Sequence, residues 1–196
     1  MDALVRIFSV LSVPIGIINL LGGFISGIWL AVLGHWGLIG YGFLFGVFGA
    51  FGIGLAMMPG LFLFAMPAAS LIEKGNKFFG YIFGLLATVY TYGILTLWCL
   101  LILFYYVSRA DQDSIIPVLL WSYGVTTGPI AYMAMKEQNE FSMISTFFIQ
   151  IAYLISMFAV YFGGFIYVLY IFGVTMLVGL LIQFTLAFLM DKERSY

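Results

Sequence analysis

Charge is the scarcest property of this chain. Among 196 residues there are seven Lys or Arg, eight Asp or Glu and one His, so charged side chains make up 8% of the sequence against 64% for hydrophobic ones. Soluble domains carry roughly a quarter of their residues as charges, and a chain so poor in them cannot cover its apolar surface in water. Lipid is the solvent this composition calls for. The net charge of −1 leaves no basic face for nucleic acid, and no cluster of four or more Lys or Arg marks a site for anionic headgroups.

Cysteine and histidine are nearly as rare. The single Cys99 excludes an intramolecular disulfide and a multi-cysteine metal site; in the middle of an apolar run it reads as a small buried hydrophobe. The single His35 excludes a haem held by two histidines and a histidine-rich metal site. It falls in a short turn beside Trp36, where a solvated interface residue is the expectation and pH sensing the minor alternative. No cofactor or metal is expected. Asp111 and Asp113, with Gln112 between them, read as a solvated turn, because two carboxylates fall far short of the oxygen shell calcium needs.

The remaining absence is positional. No Asp, Glu, Lys or Arg lies deep within an apolar run, which disfavours proton coupling and voltage sensing, both of which work through such residues. Enzymatic chemistry is not expected either, since acid-base or nucleophilic catalysis needs positioned titratable groups. A lipid-modifying enzyme working at the membrane surface through Glu73, Glu137, Glu140 or His35 is the minor alternative.

What is present is hydrophobic length. Apolar runs of more than 20 residues recur to Met190, broken only by short charged clusters at Asp2 and Arg6, Glu73 to Lys77, Arg109 to Asp113, Lys136 to Glu140, and Asp191 to Arg194. This pattern predicts an all-α integral membrane protein: a compact polytopic bundle of six transmembrane helices over 8–33, 38–72, 78–107, 114–134, 141–162 and 165–190, forming one domain over 1–196. Arg6 before the first run resembles the charged start of a signal peptide, but the run is too long and lacks a clear cleavage site, so a retained first helix is expected. Placing both termini in the cytoplasm puts Arg6, Lys74, Lys77, Lys136, Lys192 and Arg194 inside and only Arg109 outside, which satisfies the positive-inside rule. A bacterial-type inner or plasma membrane is the expected location. A seven-helix alternative splits the second run at Pro59-Gly60 and distributes the positive charge less well.

That second run is too long for one straight span: 35 residues of helix reach about 52 Å, against a hydrocarbon core of about 30 Å. Pro59, Gly60 and Pro67 form a candidate hinge, at which the segment from Gly60 to Ile72 is expected to kink away as a half-helix, re-entrant or interfacial. A kink that only tilts a long helix is the plainer alternative. Gly23 and Gly27, then Gly42, Gly46 and Gly49, form a candidate seam for helix packing or for a partner, since small residues let backbones approach.

Polar residues form stripes on three helices. Gly80, Gly84, Thr88, Tyr92 and Thr96 recur every four residues on the third; Trp121, Ser122, Tyr123, Thr126 and Thr127 lie on the fourth; Ser142, Thr146, Gln150 and Tyr153 line the fifth. The candidate pocket is Thr88, Tyr92, Thr96, Tyr123, Thr126, Thr127, Thr146, Gln150 and Tyr153, suited to a neutral or amphipathic molecule. Interhelical hydrogen bonding is the alternative use of the same groups. Asn19, Gln150 and Gln183, the strongest polar side chains within the runs, are expected to face inward.

The function expected is that of a membrane transport component which binds or passes an uncharged or amphipathic small solute or lipid and is not proton-driven. A non-catalytic accessory or structural subunit of a larger membrane complex is the alternative. The expected partners are the lipid bilayer, and either other membrane subunits or further copies of the chain. Size and topology are similar to those of the substrate-binding membrane subunits of vitamin importers, a likeness of architecture without a matching motif.

Overall fold

The computed structural model describes residues 2–137, 140–164 and 166–194, and their side chains outside 2–9, 12–13, 20, 50, 129, 131–137, 140–145, 163 and 186–194. The chain is all-helical, with no strand among the described residues. Its helices are α1 (Asp2–Val32), α2 (Trp36–Gly60), a π-helical turn (Leu61–Ala65), α3 (Met66–Glu73), α4 (Lys77–Val107), α5 (Ile115–Glu137), α6 (Glu140–Gly163) and α7 (Ile166–Arg194). They fall on the apolar runs. Four stretches are long and apolar enough to cross a membrane: Pro14–Val32, the continuous run Trp36–Glu73, Lys77–Val107 and Ile166–Thr185.

Glycine ends two of the helices by one device. Gly34 and Gly75 adopt φ of 82° and 81°, a left-handed conformation that costs glycine nothing. In each case two successive amides turn back onto the helix. Gly34 N–H bonds Ala31 O and His35 N–H bonds Leu30 O; Gly75 N–H bonds Ile72 O and Asn76 N–H bonds Leu71 O. These paired bonds satisfy carbonyls that would otherwise be orphaned at a helix end.

The expected break in the second run takes the form of the π turn. Leu61 carbonyl accepts from the Met66 amide, five residues on. Two prolines bracket the turn. Pro67 has no N–H, and in a regular α-helix its ring would collide with the Leu63 carbonyl at a cost of about 3 kcal/mol or more. A widened turn moves that carbonyl away without ending the helix. The segment does not leave the bundle as a half-helix: α3 packs along α4, with Ala68 buried and Ile72 against Gly80.

α5 is the axis of the bundle, touching α1, α2, α4 and α6, while α7 packs on α6 and more lightly on α4. Two apolar clusters flank it. One holds Leu30, Leu38, Ile102, Tyr106, Val118 and Val125; the larger includes Ile53, Tyr92, Leu95, Cys99, Tyr123, Tyr153 and Phe172. Outward side chains are apolar almost throughout, with Phe24, Phe43, Phe48, Phe51, Phe104, Phe158 and Tyr170 all more than half exposed. Among the described residues, the helix carrying the most buried hydroxyls is thus one packed against four others.

Candidate functional site

The site is built on α5, whose Ser122, Tyr123, Thr126 and Thr127 are all buried. Each of three hydroxyls first bonds back to its own helix: Ser122 to Leu119 O at 2.7 Å, Thr126 to Ser122 O at 2.6 Å, and Thr127 to Tyr123 O at 2.7 Å. With their protons so placed, the oxygens are left to accept. Tyr153 on α6 donates to Ser122 Oγ at 2.9 Å, with Thr126 Oγ1 at 3.4 Å from the same phenol. Asn19 on α1 donates to Thr127 Oγ1. Gly124 stands beside that bond, opposite Gly23, and a Cβ there would lie 3.4 Å from both Asn19 Oδ1 and the Gly23 Cα. Small residues thus let α1 approach α5 closely enough for the carboxamide to reach across.

Among the described residues, two buried polar atoms of α5 and α6 have no hydrogen-bond partner. They are the Tyr123 hydroxyl and Gln150 Oε1, on side chains 1% and 3% exposed. The Tyr123 and Tyr153 rings stand 5.8 Å apart, and Gln150 precedes Tyr153 by about one turn of α6. Ser122, Thr126 and Tyr153 thus form one hydrogen-bonded group with the Tyr123 ring beside it, while Thr127 is engaged by α1 and Gln150 lies about one turn before Tyr153 on α6. Thr146 is buried one turn further along α6. The side chain of Ser142 lies outside the described residues, as does the polar loop from Lys136 to Glu140 in its side chains.

The remaining candidates fall elsewhere. A four-residue step on a helix drifts by about 40°, so the α4 stripe winds around the helix instead of following one face. Gly80 faces α3, where a Cβ would meet Ile72 Cγ1 at 2.5 Å. Thr88 bonds its own helix at Gly84 O, 2.9 Å. Thr96 faces α7 and lies 3.1 Å from Met176 Sδ. Tyr92 lines a narrow cleft with Phe148, Ile149, Ala152, Phe172, Thr175 and Met176 that has no room for a water molecule. Its ring end is admitted by Gly179, where a Cβ would meet the hydroxyl at 2.8 Å. Thr88 and Thr96 are thus turned to other partners, while Tyr92 packs in the same apolar cluster as Tyr123 and Tyr153, beside Ile149 and Ala152 of α6.

The glycine seam is largely occupied by this chain's own aromatics. Trp121 lies in a notch formed by Gly27 on α1 and Gly42 on α2; a Cβ on Gly27 would meet its ring at 2.8 Å. Trp98 fills the notch at Gly49, and Tyr90 the one at Gly60, while Gly23 faces Gly124 and Gly46 faces open space. Glycine also brings backbone within reach: Trp121 Nε1–H and the Tyr106 hydroxyl both donate to Leu38 O, at 3.3 and 3.1 Å. Tyr90 donates to Ala56 O at 2.9 Å, one turn before Gly60. Trp121 was named from sequence only as part of the α5 stripe, and Trp98, Tyr90 and Tyr106 were not singled out; the signal available was a Trp or Tyr on one apolar run for a glycine turn of another.

At the far end of the bundle, His35 Nε2 lies 4.0 Å from Asp111 Oδ2, with the side chains 28% and 79% exposed. The Ser114 hydroxyl accepts from the Asp111 amide at 2.9 Å, and Arg109 stacks 3.9 Å over the Tyr105 ring. Asp111, Gln112 and Asp113 are exposed. Among the described residues no group of three His, Cys, Asp or Glu is placed to hold a metal ion. Comparison with known proteins finds no matching family model, no matching curated protein and no matching solved structure.

Proposed function

We propose that the chain is an integral membrane protein whose six helical rods cross the bilayer, with both termini in the cytoplasm of a bacterial-type inner or plasma membrane. The four long apolar stretches support this, as do the outward apolar side chains and the gathering of positive charge on one side. We further propose that it is a non-enzymatic transport component, binding or passing an uncharged or amphipathic small solute or lipid without proton coupling.

One observation carries the functional reading: Gln150 Oε1 and the Tyr123 hydroxyl are buried and unmatched within a hydroxyl-rich core. An unmatched polar group away from water costs free energy comparable to a lost hydrogen bond or more. A ligand that donates to the carboxamide oxygen and accepts from the phenol recovers it. With no ionised side chain on these stretches of α5 and α6, the ligand that fits is neutral. Native mass spectrometry of protein extracted gently from its host membranes tests this. One small molecule retained by the native chain and lost from a folded Gln150→Leu, Tyr123→Phe variant supports the reading. Native chain that retains none, or a variant that retains it equally, overturns it.

A second reading, the accessory subunit of a larger membrane complex, is favoured by a different observation. Most hydroxyls of the core are spent on this chain's own backbone and side chains, and the cleft at Tyr92 is too narrow for a water molecule. The same spectrum separates the two, since a stoichiometric protein partner supports the accessory role.

A further inference from the structure

Three contacts seat the run Trp36–Glu73 against α4: Gly49 on Trp98, Gly60 on Tyr90, and Ala68 and Ile72 on Gly80. In an uninterrupted α-helix the residues sharing the face of Gly60 would be those seven and eleven positions on, Pro67 and Leu71. The residues that meet Gly80 are the next ones, Ala68 and Ile72, so the π turn has absorbed one residue and rotated α3 to match. Both pairs are apolar. Either could face the Gly80 notch without burying a polar side chain.

We propose that α3 has two seatings on α4: the one described, and one turned by about 100°, in which the π turn has relaxed to α-helix and Pro67 and Leu71 replace Ala68 and Ile72. Upstream of the turn the helix is held. The Tyr90 hydroxyl bonds Ala56 O at 2.9 Å, the Tyr90 ring fills the Gly60 notch, and Trp98 fills that of Gly49. Phe64, inside the turn, lies against Tyr90 with ring centroids 6.1 Å apart. No residue of the turn is buried, so its repacking disturbs no core contact. Downstream, Gly75 in its left-handed conformation forms a short turn between α3 and α4. Pro67 sets the balance, because its ring disfavours the α-helical position of the Leu63 carbonyl without forbidding it. The rotation re-aims Glu73 and Lys74, both exposed at the end of α3, so the seating determines how this charged edge is presented at the membrane face. Packed interfaces with two discrete arrangements are the usual basis of such switching.

Disulfide trapping in a Cys99→Ala background reads the seating directly. Gly80→Cys paired with Ile72→Cys is expected to cross-link at least tenfold faster than Gly80→Cys paired with Leu71→Cys. Adding Pro67→Ala is expected to raise the Leu71 rate severalfold and lower the Ile72 rate. A Leu71 rate that Pro67→Ala leaves unchanged overturns the proposal. If Gly80→Cys folds poorly, amide hydrogen exchange of Pro67→Ala alone serves: exchange across 61–66 slows at least tenfold if the turn becomes α-helical, and equal exchange in variant and native chain overturns the second seating.

Discussion

The two apolar clusters beside α5 treat their polar groups differently. In the cluster around Leu30, Leu38 and Tyr106, the polar edges of Tyr106 and Trp121 both end on one acceptor, the Leu38 carbonyl, and the Trp121 ring fills space that Gly27 and Gly42 leave open. In the cluster around Tyr123 and Tyr153 the Tyr123 hydroxyl is left without a partner among the described residues, as is Gln150 Oε1 next to Ile149 of that cluster. The first is a lock at Leu38 O, where the polar edges of Tyr106 and Trp121 are both spent, with only Trp98 Nε1 at its margin lacking a partner among the described residues. The second has hydrogen-bonding capacity that packing does not use, and spare capacity inside an apolar bundle is what a bound neutral molecule requires.

The comparison breaks most visibly if the notch is filled. Gly42→Leu pushes a side chain into the space of the Trp121 indole and separates both donors from Leu38 O, so the loss should exceed the 1–3 kcal/mol usual for overpacking. Denaturation in mild detergent, followed by loss of the monodisperse peak, reads it. Gly46→Leu is the control, because a Cβ there meets nothing; equal damage from both would mean that α2 is not seated against α5 through Gly42.

Tyr106→Phe keeps the ring and removes one of the two donors to Leu38 O. The expected loss is about 0.5–1.5 kcal/mol, because Trp121 still satisfies the carbonyl. Removing the second donor as well, with Trp121→Phe, should cost more than the two single changes together, since only the double variant deprives that carbonyl of both side-chain donors. Strict additivity would show that the lock is made by shape alone. Asn19→Leu tests the neighbouring α1–α5 contact, where the loss of the Thr127 partner should cost about 1 kcal/mol, the scale of interhelical hydrogen bonds in membranes.

Much of this was legible in the sequence, and what was not has a common cause. The apolar runs and their charged punctuation specify helices, and the glycine in each short turn specifies where two of them stop. Burial of Asn19, Gln150 and Gln183 follows from the cost of a carboxamide in lipid, and all three are buried. Rotation of each helix was not legible. It placed Gly42 and Gly49 inward but Gly46 outward, and it turned Thr88 and Thr96 to partners away from the α5–α6 hydroxyls, because the facing side chains set rotation and a single sequence does not show them. The two prolines announced an irregularity at 59–67, yet its form, a π turn that keeps the helix running and shifts its face by one residue, depends on what α4 offers at Gly80.

The smallest expected effect on stability is the most informative for the second cluster. Gln150→Met removes the unmatched carbonyl oxygen while keeping an unbranched side chain of similar length, so the folded bundle gives up no hydrogen bond at Oε1. Stability should stay within about 0.5 kcal/mol of the native chain or rise, since an unsatisfied buried acceptor carries a desolvation penalty of about 1–3 kcal/mol that the thioether does not. A loss of more than 1 kcal/mol would show that Gln150 is bonded in the working protein by a group of the bundle itself, and the cluster would then be a second lock. If stability holds while any small molecule found with the native protein disappears, the same substitution separates what Gln150 does for folding from what the proposed reading asks of it, a separation that the two donors on Leu38 O cannot show because both are already spent.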